Sequence, residues 1–268
     1  MRSLWSLGLV WVLLLGGVAP LSAAESCGPY TVLLYEFGQL NYRNAHGQPQ
    51  GVDPDLVEAL ARRSGCQLLT AVDSRVRIWD QLARGTLEIT TSGIATPERE
   101  QLAEFWPYLR SRNRAVMRTA QAGRWASLAD FAADPARRVA VVKGFKHGPS
   151  IDAFLDRMRA ERRVDEVGGF DTAYRVLMAG RVDLIFAHPL NLPAITPGSN
   201  AAVTLLDWAP QDDILACLVV SRTRVAAADR QRLREALTSL LRDGSVDAIM
   251  ARHVRPELLA SLRLPSPR

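Results

Sequence analysis

The sequence predicts an α/β protein with two lobes, and two patterns carry that prediction. Strand-like and helix-like segments alternate from about residue 30 to about residue 95, an order that favours a parallel sheet flanked by helices. The same alternation starts again near residue 118 and continues to about residue 212. A later apolar strand, "DDILACLVVSR", could lead the chain back to the first lobe.

Three strands and two helices are predicted for the first lobe. The strands are "YTVLLYEF", "QLLTAV" and "TLEITTSGI". The segment "DPDLVEALARRSG" is a well-marked helix, with Asp53 as its N-cap, Pro54 at its first position and Gly65 as its stop. The shorter segment "RIWDQLARG" is an amphipathic helix that ends at Gly85.

The second lobe repeats the same rhythm. Its strands are "RRVAVVKG", "VDEVGGF" and "VDLIFAHP", and a helix with Pro149 near its start, "GPSIDAFLDRMRAER", separates the first two. The helix "DTAYRVLMAG" is predicted to be capped by Asp171 and ended by Gly180. Two closing helices, "AAADRQRLREALTSLLRDG" and "SVDAIMARHV", follow the returning strand.

The first 24 residues are typical of a secretory signal peptide. Arg2 is followed by an apolar run, Leu4–Val18, and then by small residues suited to cleavage near Ala24. A membrane anchor is the alternative, and it is disfavoured because the apolar run is shorter than the roughly 20 residues that a spanning helix needs. We therefore expect residues 1–24 to be removed and the protein to be exported to the periplasm.

Composition excludes two classes of function. The chain carries 33 lysines and arginines against 28 acidic residues, and the two signs are mixed along it, so no nucleic-acid partner is predicted. The four histidines are dispersed, and the three cysteines form no CxxC pair. No metal site and no cofactor is therefore predicted.

Two of the cysteines are placed to form a disulfide. Cys27 lies just before the first predicted strand, and Cys66 lies just before the second. If those strands are parallel neighbours, both cysteines fall at the same end of the sheet, and an oxidising compartment favours a bond between them. Cys217, inside the apolar "ILACLVV", is predicted to be a buried free thiol.

The stretch "SGIATPER" raises a question about one arginine. Thr96 is a good N-cap and Pro97 suits the first helical position. Arg99 then falls in the first turn, where a cation is unfavourable unless an anion meets it. Either a ligand supplies that anion, or a nearby glutamate does. The candidate glutamates are Glu98, Glu100 and Glu104.

The order of several motifs resembles one protein family. The motifs are "GVDPDLVEALARRSG", "WDQLARGTLEI", "TPERE", "EFWPY", "LMAGRVDLIFA" and "LLRDGSVDAIM". Together they resemble the bacterial family 3 extracellular solute-binding proteins, the periplasmic receptors of the polar amino acid uptake type. The resemblance covers essentially all of the mature chain and rests on the order and spacing of the motifs.

This resemblance implies a fold and a mode of action. The fold is the periplasmic binding protein type II fold, with two α/β lobes joined by two hinge strands. Lobe 1 would comprise residues 25–117 plus 213–268, and lobe 2 would comprise residues 118–212. Ligand would bind in the cleft between the lobes and close it by a hinge motion. A monomer working with an ABC importer or a sensor is implied.

The resemblance also implies a set of ligand-binding residues in lobe 1. Arg99 would reach into the cleft and pair with a ligand carboxylate, which matches the fork of a guanidinium. Phe37 matches the usual aromatic residue of the lobe 1 wall, and Tyr35 and Tyr42 are weaker candidates for that role. Hydroxyls and backbone N–H groups at the end of the third strand would complete the site: Thr91, Ser92, Gly93 and Ile94.

Three positions depart from the family pattern. A hydroxyl-rich turn in lobe 2 is replaced by Gly144-Phe145-Lys146-His147-Gly148, in which the lysine and histidine strengthen the preference of a helix N-terminus for anions. His188 stands where amino-acid receptors carry an acid for the ligand's ammonium. Arg75 stands near the place of a common aromatic residue. Solvated loop lysines and a packed strand-end histidine are the alternative interpretations.

These departures predict a small anionic ligand, because the cleft would be rich in cations. An organic acid without a free amine fits best, and an atypical amino acid is the other class that we expect. The predicted cationic residues are Arg75, Arg99, Lys146, His147 and His188. Two other functions stay open. The protein could be an exported dehydratase that acts on a cyclic carboxylic acid, or an accessory partner of an exported redox enzyme.

Overall fold

The computed structural model describes residues 26–188, 190–191, 202–254 and 256–264. The predicted signal peptide, residues 1–24, lies outside the described residues. None of the helices in the described part has the length and apolar character of a membrane-spanning segment.

The described residues form the following strands: β1 (Tyr30–Leu34), β2 (Tyr42–Arg43), β3 (Pro49–Gln50), β4 (Leu68–Val72), β5 (Ile89–Gly93), β6 (Ala103–Ser111), β7 (Arg114–Arg118), β8 (Val139–Val142), β9 (Val164–Val167), β10 (Leu184–Ala187), β11 (Val203–Leu206) and β12 (Ile214–Ser221).

The helices are α1 (Val52–Ser64), α2 (Arg75–Ala83), α3 (Pro97–Glu100), α4 (Leu128–Ala133), α5 (Pro149–Ala160), α6 (Phe170–Met178), α7 (Ala227–Arg242), α8 (Ser245–His253) and α9 (Pro256–Leu262).

Two five-stranded sheets form the two lobes. The first has the order β4-β1-β5-β12-β6, in which β1 is parallel to β4 and β5, while β12 is antiparallel to β5 and β6. The second has the order β11-β7-β10-β8-β9, with β8, β9 and β10 parallel. The predicted two-lobed α/β architecture is confirmed, and β12 returns the chain to the first sheet.

The first lobe is built from both ends of the chain. Its core packs α1 and the β1 strand against residues of α7, α8 and α9. The predicted disulfide between Cys27 and Cys66 is present, and it ties the start of β1 to the start of β4. Cys217 is a buried free thiol, as predicted, and burial raises its pKa to about 12.

The second lobe has a core on each face of its sheet. Successive residues of β10 point to opposite faces, so Leu184 and Phe186 pack with α5 while Ile185 packs with α6. Both faces of this strand are apolar because helices cover both, as expected for a sheet rich in parallel strands.

The chain crosses between the lobes at two places. After β6 it passes through Arg112 and Asn113 into β7, which pairs with β10 and β11 of the second sheet. It returns through residues 207–213 into β12. We placed the start of lobe 2 at residue 118, whereas the sheet pairing places β7 in lobe 2 because its first residue already pairs with β10.

Candidate functional site

The polar groups at the end of β5 form hydrogen bonds within lobe 1. Helix α1 begins at Val52 with Gly51 as its N-cap, so Asp53 is not the cap that we expected. Its buried carboxylate instead accepts hydrogen bonds from Thr91 Oγ1 at 2.8 Å, Ser92 Oγ at 2.7 Å and the Tyr108 hydroxyl at 2.5 Å. The two hydroxyls that we expected to face a ligand therefore have a partner within lobe 1.

This carboxylate is held in an apolar setting. Burial raises the pKa of Asp53 to about 6, although its hydrogen bonds, first that of Tyr108, oppose the rise. The same hydroxyl of Tyr108 accepts the Ser92 N–H at 3.0 Å, and the Ser92 carbonyl accepts the Tyr35 hydroxyl at 2.8 Å. The cluster fixes the backbone at the strand end, where Ser92 has a φ of 53°.

Gly93 is packed against other side chains of lobe 1, and Ile94 offers its backbone carbonyl to Arg99. A Cβ on Gly93 would lie 2.3 Å from Val219 and 3.0 Å from Trp79, so the close packing of these side chains requires glycine. The carbonyl of Ile94 accepts a hydrogen bond from Arg99 Nη1 at 3.0 Å. These contacts join β5 to the first turn of α3.

Arg99 forms no ion pair with the neighbouring glutamates. Its guanidinium carbon lies 3.6 Å from the Trp79 ring, and no carboxylate among the described residues pairs with it. Burial, and after it the charge of Arg75, lowers its pKa to about 10. Glu104, one of the expected partners, instead binds three other arginines of lobe 1: Arg222, Arg230 and Arg234.

Arg75 is the most enclosed cation of the site. It is the first residue of α2, it is 9% exposed, and no described carboxylate forms an ion pair with it. Its guanidinium carbon lies 3.8 Å from the Tyr35 ring centroid, 4.5 Å from that of Phe145 and 5.5 Å from that of Phe37. Burial lowers its pKa, which the charge of Asp53 opposes from beyond ion-pair distance.

Aromatic contacts close the two lobes onto each other. Phe37 of lobe 1 stacks on Phe145 of lobe 2 with ring centroids 5.2 Å apart, and it meets His188 edge-on at 5.5 Å. The Gln39 N–H of lobe 1 also bonds the carbonyl of Leu190, which follows β10, at 3.0 Å. The structure therefore shows lobes in direct contact.

A cavity of only about 20 Å³ remains at this contact, and we call it the central cavity. That volume holds about one water molecule. Its lining residues are Tyr35, Phe37, Leu40, Arg75, Ser92, Ile94, Phe145, His188, Ile214 and Ala216. Six of the predicted site residues thus meet here, and the side chains of the protein itself fill the space between them.

The N-terminus of α5 already holds a carboxylate from the same chain. Asp212, on the return crossing, accepts the Ser150 N–H at 2.7 Å, the Ile151 N–H at 3.0 Å and the Ser150 hydroxyl at 2.6 Å. The preference of this helix start for anions is therefore met internally. Gly148 is needed beside it, because a Cβ there would lie 2.8 Å from Asp212.

The side chains of the cationic turn before α5, residues 144–148, lie partly in the cleft and partly at the surface. Phe145 lines the central cavity, whereas the side chain of Lys146 is 48% exposed and lies 4.0 Å from Asp152. His147 is buried beside the same carboxylate, with Nδ1 at 3.5 Å from Oδ1. A Cβ on Gly144 would contact Val76 of the other lobe at 3.6 Å, which places this turn at the lobe interface.

The two predicted site histidines add no positive charge at neutral pH, which corrects our expectation for both. Burial lowers the pKa of His147 below its usual range, although Asp152 opposes the shift. Burial, with the charge of Arg75, lowers the pKa of His188 to about 3. His188 Nδ1 accepts the Leu190 N–H at 3.3 Å, as a packed residue at a strand end would.

Several important residues were missed or ranked low from the sequence. Tyr35 was a weaker candidate than Phe37, yet it forms the closest ring contact of Arg75. Asp212 had no local signature, since its partners lie 62 residues earlier in the chain. Among the described residues, no group of three or more histidine, cysteine or acidic side chains could hold a metal ion.

Two α/β lobes joined by two crossings, with a site between them, define a binding protein of the periplasmic binding protein type II fold. The chain belongs to family 3 of the bacterial extracellular solute-binding proteins, since the family's sequence profile matches residues 34–256. No curated protein matches the sequence.

Solved structures share this fold at low sequence identity. An ancestral arginine-binding protein bound to arginine has a TM-score of 0.70 at 20% identity, with 84% of this chain and 98% of that chain covered. A histidine kinase sensor domain similar to periplasmic binding proteins scores 0.73 at 16% identity, with 88% and 98% covered. An ancestral amino acid-binding protein, a precursor of cyclohexadienyl dehydratase, scores 0.70 at 18% identity, with 84% and 95% covered.

Proposed function

We propose that this protein captures a small anionic organic solute between its two lobes in the periplasm. The observation that carries the proposal is the state of Arg75, a guanidinium that is 9% exposed and has no carboxylate ion pair among the described residues. A buried charge is costly unless it is paired. A ligand anion would supply the missing partner.

The position of Arg75 in its helix strengthens this inference. It is the first residue of α2, where the helix dipole places partial positive charge. A guanidinium there opposes the dipole, and neighbouring rings compensate only through cation–π contacts of about 2 kcal/mol when desolvated. The guanidinium of Arg75 and the N-terminus of α2 together attract an anion at the edge of the cleft.

Arg99 provides a second cation of the same kind. It lies in the first turn of α3, its guanidinium rests over Trp79, and no described carboxylate pairs with it. The charge of Arg75 contributes to lowering the pKa of Arg99 to about 10, which means that the two guanidiniums repel each other. Both remain charged at neutral pH. An anionic solute would relieve that repulsion.

The central cavity offers little for an ammonium group. None of the described residues that line the central cavity is acidic. The nearby carboxylates of Asp53 and Asp212 are occupied by hydroxyl and N–H donors of the protein. His188 is neutral because its pKa is about 3. An organic acid without an amine therefore suits the site better than a zwitterionic amino acid.

We expect a monomer that delivers this solute to an ABC importer or reports it to a sensor, the usual partners of the fold. A second candidate is an accessory role without a small ligand, favoured by a central cavity of only about 20 Å³. A dehydratase is less favoured, because neither His147 nor His188, both buried with lowered pKa values, is protonated at neutral pH to act as a general acid.

The test is thermal unfolding and calorimetry of the mature protein with mono- and dicarboxylates, aromatic acids and amino acids. A ligand at about a hundred times its Kd should stabilise by about 2.7 kcal/mol. Organic acids should raise Tm in the wild type and in Arg84→Met, a control on the exposed end of the same helix, but not in Arg75→Met. A response to amino acids alone would overturn the anion proposal, and no response to any solute would favour the accessory role.

A further inference from the structure

A second, much larger cavity lies between the lobes, beside the Phe37–Phe145 contact. We call it the side chamber. Its volume is about 760 Å³, against about 20 Å³ for the central cavity. A volume in this range suits a small organic molecule, whereas the central cavity holds about one water. With the lobes in this arrangement, a solute larger than a water molecule cannot fit the central cavity, whereas the side chamber can hold one.

Arg75 belongs to the wall of both cavities. The ring centroids of Tyr35 and Phe145 lie 3.8 and 4.5 Å from its guanidinium carbon. A guanidinium carries five N–H donors, and no carboxylate among the described residues forms an ion pair with Arg75, so donors remain for an anion. The side chamber thus has a cation without a carboxylate partner at one point of its wall.

The N-terminus of α6 forms another part of the wall. Gly168 and Gly169 line the side chamber, and Gly169 is the N-cap of this nine-residue helix, with no side chain capping it. We expected Asp171 to be the cap, but the helix starts at Phe170, which leaves that carboxylate one position too far along. The first N–H groups of a helix favour an anion when no side chain caps them.

An unpartnered amide lies in the same wall. Asn41 is 1% exposed, and neither its Oδ1 nor its Nδ2 has a hydrogen-bond partner. A buried polar group without a partner is costly. The protein leaves this donor and this acceptor unused, and a rotation of the side chain towards the chamber would let a polar group of a bound solute relieve that cost.

Most other charges of the side chamber are already balanced. Glu36 pairs with Arg43 at 2.7 Å, and Asp73 pairs with Arg77 at 2.5 Å. Arg175, in the last turn of α6, donates a hydrogen bond to Thr172 Oγ1 at 3.0 Å and has no ion pair among the described residues. Four arginines line the chamber against three carboxylates, so its balance favours an anion.

We propose that the side chamber binds an elongated dianionic acid, with one acid group on Arg75 and the other on the N-terminus of α6, and with Arg175 and Asn41 elsewhere in the wall of the same chamber. The proposal rests on the anion-binding function above and names its site and its ligand class. It requires a chain long enough to reach from α2 to α6 across the chamber. A short monocarboxylate could satisfy Arg75 alone.

The test uses unbranched α,ω-dicarboxylates from succinate to suberate, with butyrate as a short monocarboxylate, in calorimetry with the mature protein. The decisive variant is Gly169→Asp. The backbone of Gly169 is extended, with a φ of −168°, and a Cβ there meets nothing within 4 Å, so the fold can accept the substitution. An Asp at an N-cap also stabilises a helix, so Tm should be unchanged or higher.

The new carboxylate would occupy the helix N–H groups that the second acid group needs. We expect Gly169→Asp to weaken the best dicarboxylate at least tenfold and butyrate less than threefold. Ala226→Asp is the matched control, because it adds the same charge at the uncapped, exposed N-cap of α7 in lobe 1. This control should bind the dicarboxylate as the wild type does.

A second variant keeps the proposal testable by another route. Asn41→Leu replaces the unpartnered amide by an apolar group of similar size, so it should leave Tm near the wild-type value and weaken the dicarboxylate several-fold. Dicarboxylate binding that needs Arg75 but ignores both Gly169→Asp and Asn41→Leu would overturn the side-chamber proposal and leave the anion-binding function standing. If no acid binds the wild type, both proposals are overturned.

Discussion

The guanidinium carbon of Arg75 lies 3.8 Å from the centroid of the Tyr35 ring, in the contact between two lobes and without a carboxylate partner among the described residues. The buried, unpaired charge of Arg75 lowers the stability of the fold and at the same time favours the binding of an anion. Desolvation of the guanidinium opposes folding, and the rings offset that cost only in part. The same unpaired charge is what would attract an anion.

Arg75→Met should therefore separate the two properties. Methionine is unbranched and makes favourable contacts with aromatic rings, so it can fill the same space without the charge. We expect the ligand-free variant to be at least as stable as the wild type in urea unfolding, while acid binding is lost. A fall in stability of about 2 kcal/mol or more would show that the cation–π contacts outweigh desolvation.

Glu104 should contribute strongly to the stability of lobe 1, because its side chain is 12% exposed and binds three arginines. Glu104→Ala would leave three guanidiniums close together without a counter-charge, at a cost of about 3 kcal/mol. Arg222→Ala is the control, since its side chain is 47% exposed and such pairs contribute about 1 kcal/mol or less. Equal losses in the two variants, measured by urea unfolding, would contradict this picture.

Loss of the Cys27–Cys66 disulfide should destabilise the mature protein. The bond joins residues 39 apart in sequence, which restricts the unfolded chain, and an effect of about 3 to 4 kcal/mol is expected for a loop of this size. The double variant Cys27→Ser with Cys66→Ser should show a lower Tm than the wild type. A reductant should lower the Tm of the wild type and leave that of the double variant unchanged.

His188 should make stability depend on pH in the acidic range. Burial lowers its folded-state pKa from 6.5 to about 3, so the unfolded chain binds a proton there that the folded protein does not. Stability from this residue is then fully present above pH 6.5 and falls as pH drops towards 3. The slope is at most about 1.4 kcal/mol per pH unit.

His188→Asn removes this titration and keeps a hydrogen-bond acceptor for the Leu190 N–H. The difference in unfolding free energy between wild type and variant should change between pH 6.5 and 4 and be flat above pH 7.5. Asp53, with a pKa raised to about 6, acts in the opposite direction, but it is present in both proteins and cancels in the difference. Parallel profiles across the whole range would exclude a buried neutral His188.

Local patterns in the sequence predicted much of the fold. The strands β1, β4 and β5, the helix after Gly51, and the Cys27–Cys66 bond follow from hydrophobic period, stop signals and the positions of two cysteines beside parallel strands. The helix start at Thr96 and Pro97 was also readable, because a cap acts over only three residues. In each case the interacting groups are close in the chain or are set by neighbouring strands.

The chemistry of the site depended on contacts that no local pattern contains. Asp212 reaches the start of α5 across 62 residues, the hydroxyls of Thr91 and Ser92 bind Asp53 within lobe 1, and Phe37 meets Phe145 across the contact between the lobes. The sequence by itself determined the lobes, their order and which cations were available. Only the tertiary structure decided which of those charges are paired or buried, because pairing and desolvation depend on distances between residues far apart in the chain.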